Sequence, residues 1–314
     1  MKRRTAVVAL GGNAITSKDR EDTIPNQFIN TEISLGGILK LIHEGYNLAI
    51  THGNGPQVGN AVLRVELAQS KAPYLPIYIC VADLQGGMGF MIEQVLRNIL
   101  AREGIKREVA TMITQVVVSA DDPDFTDPTK FIGQYYEPEQ AELLKKEFGW
   151  KMKPFPGDGR LRRVIASPRA AEIVEKDVIK KLVDAGVIVI ASGGGGIPVI
   201  RDQGALKGID SVIDKDRAAA VMARDIGAQL LIILTSIEKV ALNYSKPNHK
   251  YLDRISLAEV ERYLAEGHFP PGSMGPKIEA AIDFLRGGGE MVVICPIEKT
   301  YEAVNGRAGT IIVP

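Results

Sequence analysis

Five short runs of apolar, mostly β-branched residues constrain this chain more than any other feature. Residues 7–10 (Val-Val-Ala-Leu), 48–51 (Leu-Ala-Ile-Thr), 187–192, 230–235 and 291–295 lack the alternation of a half-exposed strand. Continuous runs of this kind predict strands of a parallel sheet covered on both faces. The first three lead straight into glycine: Gly11-Gly12-Asn13, then His52-Gly53-Asn54-Gly55, then four glycines at 193–196. Helical patterns fill the spaces between. Leu35, Ile38, Leu39 and Ile42 make one apolar stripe, and Ile173, Val174, Ile179, Leu182 and Val183 approximate another. Ile278, Ala281, Ile282 and Leu285 make a third, while Pro56 opens a helix that carries Val58, Ala61, Val62 and Val65. Strands alternating with helices predict an open α/β fold, its central sheet mainly parallel and flanked by helices, with ligands beyond the carboxyl ends of the strands. Those ends are the glycine turns.

The 314 residues suit two lobes. We place the first at 1–216 and the second at 217–314. The stretch from about 121 to 168 breaks the rhythm, with six prolines, several aromatics and no long periodic run. It reads as a small protruding subdomain, or lid, on the first lobe.

Thirty-eight Lys and Arg balance thirty-eight Asp and Glu, which leaves no long-range field for nucleic acid or an anionic membrane. No apolar stretch reaches the length of a membrane span, and the run after Lys2-Arg3-Arg4 is too short for a secretory signal. A cytoplasmic protein is expected. Its two cysteines, Cys80 and Cys295, lie in apolar stretches and read as buried small hydrophobes.

Motifs for acyl hydrolysis by a serine triad and for zinc hydrolysis are absent. The four histidines (43, 52, 249 and 268) form no pairing motif. His43 reads as structural or solvated; His52, inside a glycine turn, divides evenly between packing and ligand contact. Three glycine turns at one sheet edge offer backbone N–H groups at helix starts, which suits a multiply phosphorylated ligand. Neither the Walker pattern nor a G-x-G-x-x-G after the first strand occurs, which demotes a nicotinamide dehydrogenase. Phosphoryl transfer without a Walker loop still needs cations where charge develops. The candidates are Lys130 in Asp-Pro-Thr-Lys, Lys215 between Asp214 and Asp216, and Lys277, entering a helix after a glycine-proline turn. The residues alone therefore support a phosphate-handling α/β enzyme.

The order and spacing of these stretches resemble the carbamate kinases of the amino acid kinase family over essentially the whole chain. The resemblance rests on residues 9–14 (Ala-Leu-Gly-Gly-Asn-Ala), 51–59 (Thr-His-Gly-Asn-Gly-Pro-Gln-Val-Gly), 127–130 and 162–168. It continues through 191–196, 212–216 (Val-Ile-Asp-Lys-Asp), 267–269, 272–277 (Gly-Ser-Met-Gly-Pro-Lys) and 309–314. It implies reversible transfer between ATP and carbamate, giving ADP and carbamoyl phosphate, with Mg2+, in a homodimer. It implies a first lobe that binds carbamate or carbamoyl phosphate and a second that binds the nucleotide. Carried over, Gly11, Gly12, Asn13, Gly53 and Asn54 line the acyl-phosphate site. Lys215 and Lys277 contact the transferring phosphoryl group, Asp216 orients them, and Lys130 reaches in from the lid. Gly194, Gly195, Lys215, Thr235, Met274 and Lys277 contact the nucleotide. Magnesium is held mainly by phosphates, with no protein ligand assigned.

Many other members of the family resemble each other in carrying a lysine on the first strand, which is missing here; a lysine on the lid would supply that charge. Its absence argues against acetylglutamate kinase, aspartokinase and uridylate kinase. One stretch departs from the pattern. After Ala82, where carbamate kinases usually have Met-Ser-Gln-Gly and then Ile-Gly-Tyr, this chain has Asp83-Leu84-Gln85-Gly86-Gly87-Met88-Gly89-Phe90. If that helix borders the acyl site or a dimer seam, Asp83 bears on acceptor choice. A kinase for another small carboxylate or carbamate, and a nucleotide sensor without turnover, are the alternatives.

Overall fold

The computed structural model describes residues 3–11, 15–16, 20–155, 159–244, 247–270 and 272–314. Gly12 and Asn13 of the expected acyl site lie outside the described residues.

The apolar runs form the strands expected of them. β1 (Thr5–Leu10) and β2 (Asn47–His52) are buried along their whole length. They lie at the centre of an eight-stranded sheet. Its order is Arg254–Ser256, Thr310–Val313, Met291–Pro296, Leu230–Thr235, β1, β2, Ile188–Ile190 and Val109–Thr111. Every neighbouring pair is parallel except Met291–Pro296 with Thr310–Val313. The four strands on one side of the junction between β1 and Leu230–Thr235 come from residues 1–216 and the four on the other from 217–314.

Successive side chains of β1 enter opposite layers, as the pleat requires. Ala6, Val8 and Leu10 pack with Leu35, Ile38, Ile92 and Leu96 from α1 (Ile24–His43) and α3 (Ile77–Arg102). Val7 and Ala9 join Ile179 of α5 (Lys176–Asp184), Ala219 of α6 (Lys215–Asp225) and Ile278 of α8 (Gly275–Arg286). Apolar layers on both faces explain why the strands carry no polar alternation.

The stripe beginning at Ile173 divides differently from its sequence reading. Ile173 belongs to a two-residue strand opposite Val116, and α5 starts only at Lys176. The β-branched pair Ile173-Val174 extends a second sheet, in which Val174 donates its N–H to the Gln115 carbonyl.

Between residues 121 and 168 the described chain builds a three-stranded antiparallel sheet, Lys130–Tyr136, Leu161–Ile165 and Met152–Pro154, with α4 (Pro138–Phe148) across it. Tyr136, Ala141, Leu144 and Trp150 give this lid its own small core. It stands on α2 (Gly55–Ala68) where Gly59 and Gly133 meet backbone to backbone; a Cβ on Gly59 would lie 2.1 Å from the Gly133 Cα. Gly133 is at φ +69°, so both glycines are required there. A buried ion pair, Arg163 Nη1 to Glu66 Oε1 at 2.9 Å, seals the same contact, with the guanidinium 4.3 Å from the centre of the Trp150 ring.

Candidate active site

The start of α6 assembles the charged groups. Asp214 caps this helix: its Oδ1 accepts from the N–H of Asp216 at 2.9 Å and of Arg217 at 3.5 Å. The first two helical residues are Lys215 and Asp216, so their side chains leave the cap together. Asp216, 4% exposed, accepts from two lysines at once: Lys215 Nζ on Oδ1 at 2.5 Å and Lys277 Nζ on Oδ2 at 2.7 Å. Lys277 comes from the first turn of α8, after Pro276 as the sequence indicates. Lys130, from the first strand of the lid, donates to Asp214 Oδ2 at 2.9 Å. Three ammonium groups and two carboxylates therefore share one cluster with a net charge of plus one (3 − 2).

Burial would raise the Asp214 carboxyl, but the charge and hydrogen bond of Lys130, with Lys215 and Lys277 behind it, hold it well below the usual carboxylate range. Burial pushes the Lys215 ammonium down against the pull of Asp216. For Lys277, burial is outweighed by Asp216, and its affinity for a proton rises. The pair thus combines one firmly charged ammonium with one whose charge is less firmly held.

The glycine turns adjoin this cluster. Gly53 donates its N–H to the Leu10 carbonyl at 3.1 Å, which places the second turn beside the first. Gly193 lies against the His52 ring and Gly194, at φ +66°, against the Asn54 amide; a Cβ would fall 2.2 Å and 2.1 Å from them. Gly195 faces the Ile213 carbonyl, one residue before Asp214. Ser192, just ahead of these glycines, holds φ +53°, a costly conformation for a residue with a side chain. Thr51 Oγ1 donates to its carbonyl at 2.7 Å, and its N–H donates to Thr114 Oγ1 at 3.1 Å. Gln85 in turn grips the Thr114 backbone on both sides, accepting its N–H at 2.8 Å and donating to its carbonyl at 3.0 Å.

Among the buried polar atoms without a partner here are the Asn54 Nδ2 donor, the His52 Nε2 and the Ser192 Oγ. Burial pushes the His52 pKa down to about 4, helped by the nearby Lys215 and opposed by the Gly53 carbonyl, so the ring is neutral at pH 7. Asn54 also caps α2 without a side-chain hydrogen bond, and the first turn of that helix carries no acidic residue. An uncapped helix start with a free amide donor suits an anion.

On the other side, Gly11 lies 3.2 Å (as a Cβ) from the Leu234 carbonyl, and Thr235 after it opens a cavity of about 340 Å³. Thr235, Met274 and Lys277 line this cavity, with Ser236, Tyr244 and Ser273. Lys277 thus links the cavity to Asp216. Gly194 and Gly195 are not in its wall; they pack on the acyl side, against Asn54 and Ile213. Ser236, Tyr244 and Ser273 were not singled out from sequence, because single polar residues in loops carry no spacing signal. Asp83 and Phe90 share an exposed face of α3, and Asp83 has no place in the lysine cluster. Both cysteines are buried and free, with the Cys295 thiol pushed up to about 12 by burial.

The amino acid kinase family model matches residues 4–296. The chain belongs to the amino acid kinase family. It is a kinase, a phosphotransferase. Among curated relatives it is 44% identical over 310 residues to the carbamate kinase of Pyrococcus horikoshii, covering 98% of each chain. It is 46% identical to the carbamate kinase-like protein YqeA of Escherichia coli, again with 98% of each chain covered. Among solved structures, carbamate kinase from Giardia lamblia bound to AMP-PNP superposes with a TM-score of 0.91 at 38% identity, covering 99% of this chain and 98% of the other.

Proposed function

We propose that this chain is a carbamate kinase, moving a phosphoryl group between ATP and carbamate to give ADP and carbamoyl phosphate. The observation that carries the reading is the joining of Lys215 and Lys277 on Asp216, with Lys130 beside them, between an anion-suited turn and a cavity of nucleotide-binding size. Full-length similarity to carbamate kinases supports it.

A carbamate oxygen attacks the γ-phosphorus; the new O–P bond forms as the P–O bond to ADP breaks, and the electron pair stays on the ADP oxygen. No proton need move. The obstacle is repulsion between two anions, and the remedy is fixed positive charge and alignment. Lys215 and Lys277 meet the transferring phosphoryl group, with Asp216 setting their spacing. Lys130 adds the third charge from the lid. Gly11, Gly53 and Asn54 hold the acyl end; Gly12 and Asn13 are assigned there by resemblance. The nucleotide occupies the cavity of Thr235, Met274 and Lys277, while Gly194 and Gly195 shape the acyl side against Asn54 and Ile213.

Magnesium fits this arrangement as an ion carried by the phosphates. Asp214 and Asp216 give their oxygens to lysines and to the start of α6, and no group of three metal-binding side chains gathers among the described residues. When bound, the ion neutralises charge on the nucleotide phosphates.

The chain acts as a homodimer in this reading, supported by the exposed Ile29 and Ile33 on α1 and Phe90 on the adjoining α3. A cytoplasmic location fits the absence, among the described residues, of any helix long and apolar enough to cross a membrane.

The departure at Asp83 raises one second reading in the sequence, a kinase for another small carboxylate or carbamate, although the residue stands on an exposed face of α3. Coupled formation of ATP from ADP and carbamoyl phosphate with magnesium, beside an acetyl phosphate control, separates the two. Preference for carbamoyl phosphate is expected. Preference for acetyl phosphate would transfer the case to the other acceptor class, and bound ADP without turnover would indicate a sensor.

A further inference from the structure

Two carboxylates divide the three lysines, and they divide them unequally. Asp216 uses both oxygens on lysines borne by the packed helices α6 and α8. Asp214 uses one oxygen on the start of α6 and the other on Lys130, a residue 84 positions earlier in the chain and carried by the lid. Asp214 is therefore a single rigid group that touches both bodies whose relative placement sets the site. Among the described residues it is the carboxylate within ion-pair distance of Lys130. The lid is held elsewhere by the Ala166 carbonyl, which accepts the Val212 N–H at 2.9 Å, by Ile132 and Ile165 in a cluster with Val58, Val81 and Val212, and by Gly59, Gly133 and the pair of Glu66 with Arg163.

We propose that Asp214 is a positioning residue for phosphoryl transfer, docking the lid so that the Lys130 ammonium stands beside Lys215 and Lys277. The proposal rests on the phosphotransfer reading above. Its geometric content is that Oδ1 fixes the helix bearing Lys215 and Asp216 while Oδ2 fixes Lys130 against that same helix. A backbone cap alone requires only Oδ1 and would be served as well by asparagine.

Asp214→Asn keeps the cap and removes the charge facing Lys130, and Asp214→Ser does so with a different side chain. Each is compared with wild type, Lys130→Met and the corresponding double variant. Turnover is measured with ADP and carbamoyl phosphate, and Lys130 exposure by pulse acetylation and peptide mass spectrometry. Losing one charge-assisted hydrogen bond predicts about a tenfold fall in kcat for Asp214→Asn. Acetylation of Lys130 rises while that of Lys277 does not. In the Lys130→Met background the Asp214 change costs less than about twofold, because the two act as one unit.

Undiminished kcat in Asp214→Asn, or losses that multiply independently with Lys130→Met, would overturn the positioning role. Unchanged acetylation of Lys130 in both Asp214 variants would overturn the docking itself. The labelling needs no turnover, so it stands even if wild type proves inactive with carbamoyl phosphate, a result that would sink the functional reading instead.

Discussion

Lys277 and Lys130 serve one cluster but stand on different kinds of structure. Lys277 begins a helix whose inner face, Ile278, Ala281, Ile282 and Leu285, is part of the main core. Lys130 begins a strand of a lid whose core is four residues, Tyr136, Ala141, Leu144 and Trp150. Moving Lys277 means disturbing the main core. Moving Lys130 means breaking its ion pair with Asp214 and shifting a small sheet held by Ile132, Ile165 and the glycine contact with α2. The contrast teaches that two of the charges stand on helices of the main core, while the third stands on a smaller sheet with a core of its own and an edge packed on α2 and α3. A site of this kind can admit its substrates and still present full positive charge to the transferring group.

The main-core half is broken most severely at Asp216. Asp216→Ala leaves two largely buried ammonium groups without their shared partner, and about 3–5 kcal/mol of stability is expected to go with the activity. Urea unfolding beside the assay checks it; retention of full stability would mean the lysines are not paired as described.

Next come the lysines themselves. Lys215→Ala or Lys277→Ala is expected to lower kcat by roughly 10²–10³, the loss typical of removing one preorganised donor. Near-normal turnover in both would remove them from the reaction.

The lid half is sharpened at Glu66. Glu66→Gln breaks the buried pair with Arg163 and is expected to loosen the lid locally by about 3 kcal/mol. Hydrogen exchange at Lys130–Tyr136 should quicken while α8 keeps its protection. Equal loosening of both would erase the distinction between the two bodies.

His52 adds a pH signature to the main-core half. Its folded pKa of about 4 lies below the unfolded 6.5, so the unfolded chain binds the proton first as pH falls. Stability is present above pH 6.5, declines through the window and levels off below 4, about 3 kcal/mol in all. Denaturant unfolding at pH 7 and pH 4.5 reads this slope, which His52→Gln should flatten. The smallest effect is expected at Asp83→Ser: on an exposed face of α3, it should change the KM for carbamoyl phosphate by less than about twofold.

The same contrast explains what the sequence made legible. β1, β2 and the Leu230–Thr235 strand announce themselves because both faces are buried and their central residues are apolar. The glycine turns are readable because close contacts, such as Gly193 on the His52 ring, exclude a side chain. The lid declared only its irregularity, since its short strands and four-residue core leave little periodicity. Ile173 and Val174 misled because a two-residue strand followed by a turn imitates the first turn of an amphipathic helix. The lysines stood out by their neighbours, Lys215 between two aspartates and Lys277 after a glycine-proline turn. The pairing of Lys130 with Asp214 was not legible, because a contact across 84 residues leaves no local pattern. Nor was the Gln85 grip on Thr114, which needs α3 to lie beside the second sheet.

Hydrogen exchange of the lid against α6 and α8, with and without ADP and carbamoyl phosphate, tests the two-body account most directly. The account predicts that, without ligand, Lys130–Tyr136 and Leu161–Ile165 exchange faster than both helices, and that ligand slows the lid while leaving the helices nearly unchanged. Lid protection already equal to that of α6 and α8, and unmoved by ligand, would contradict it.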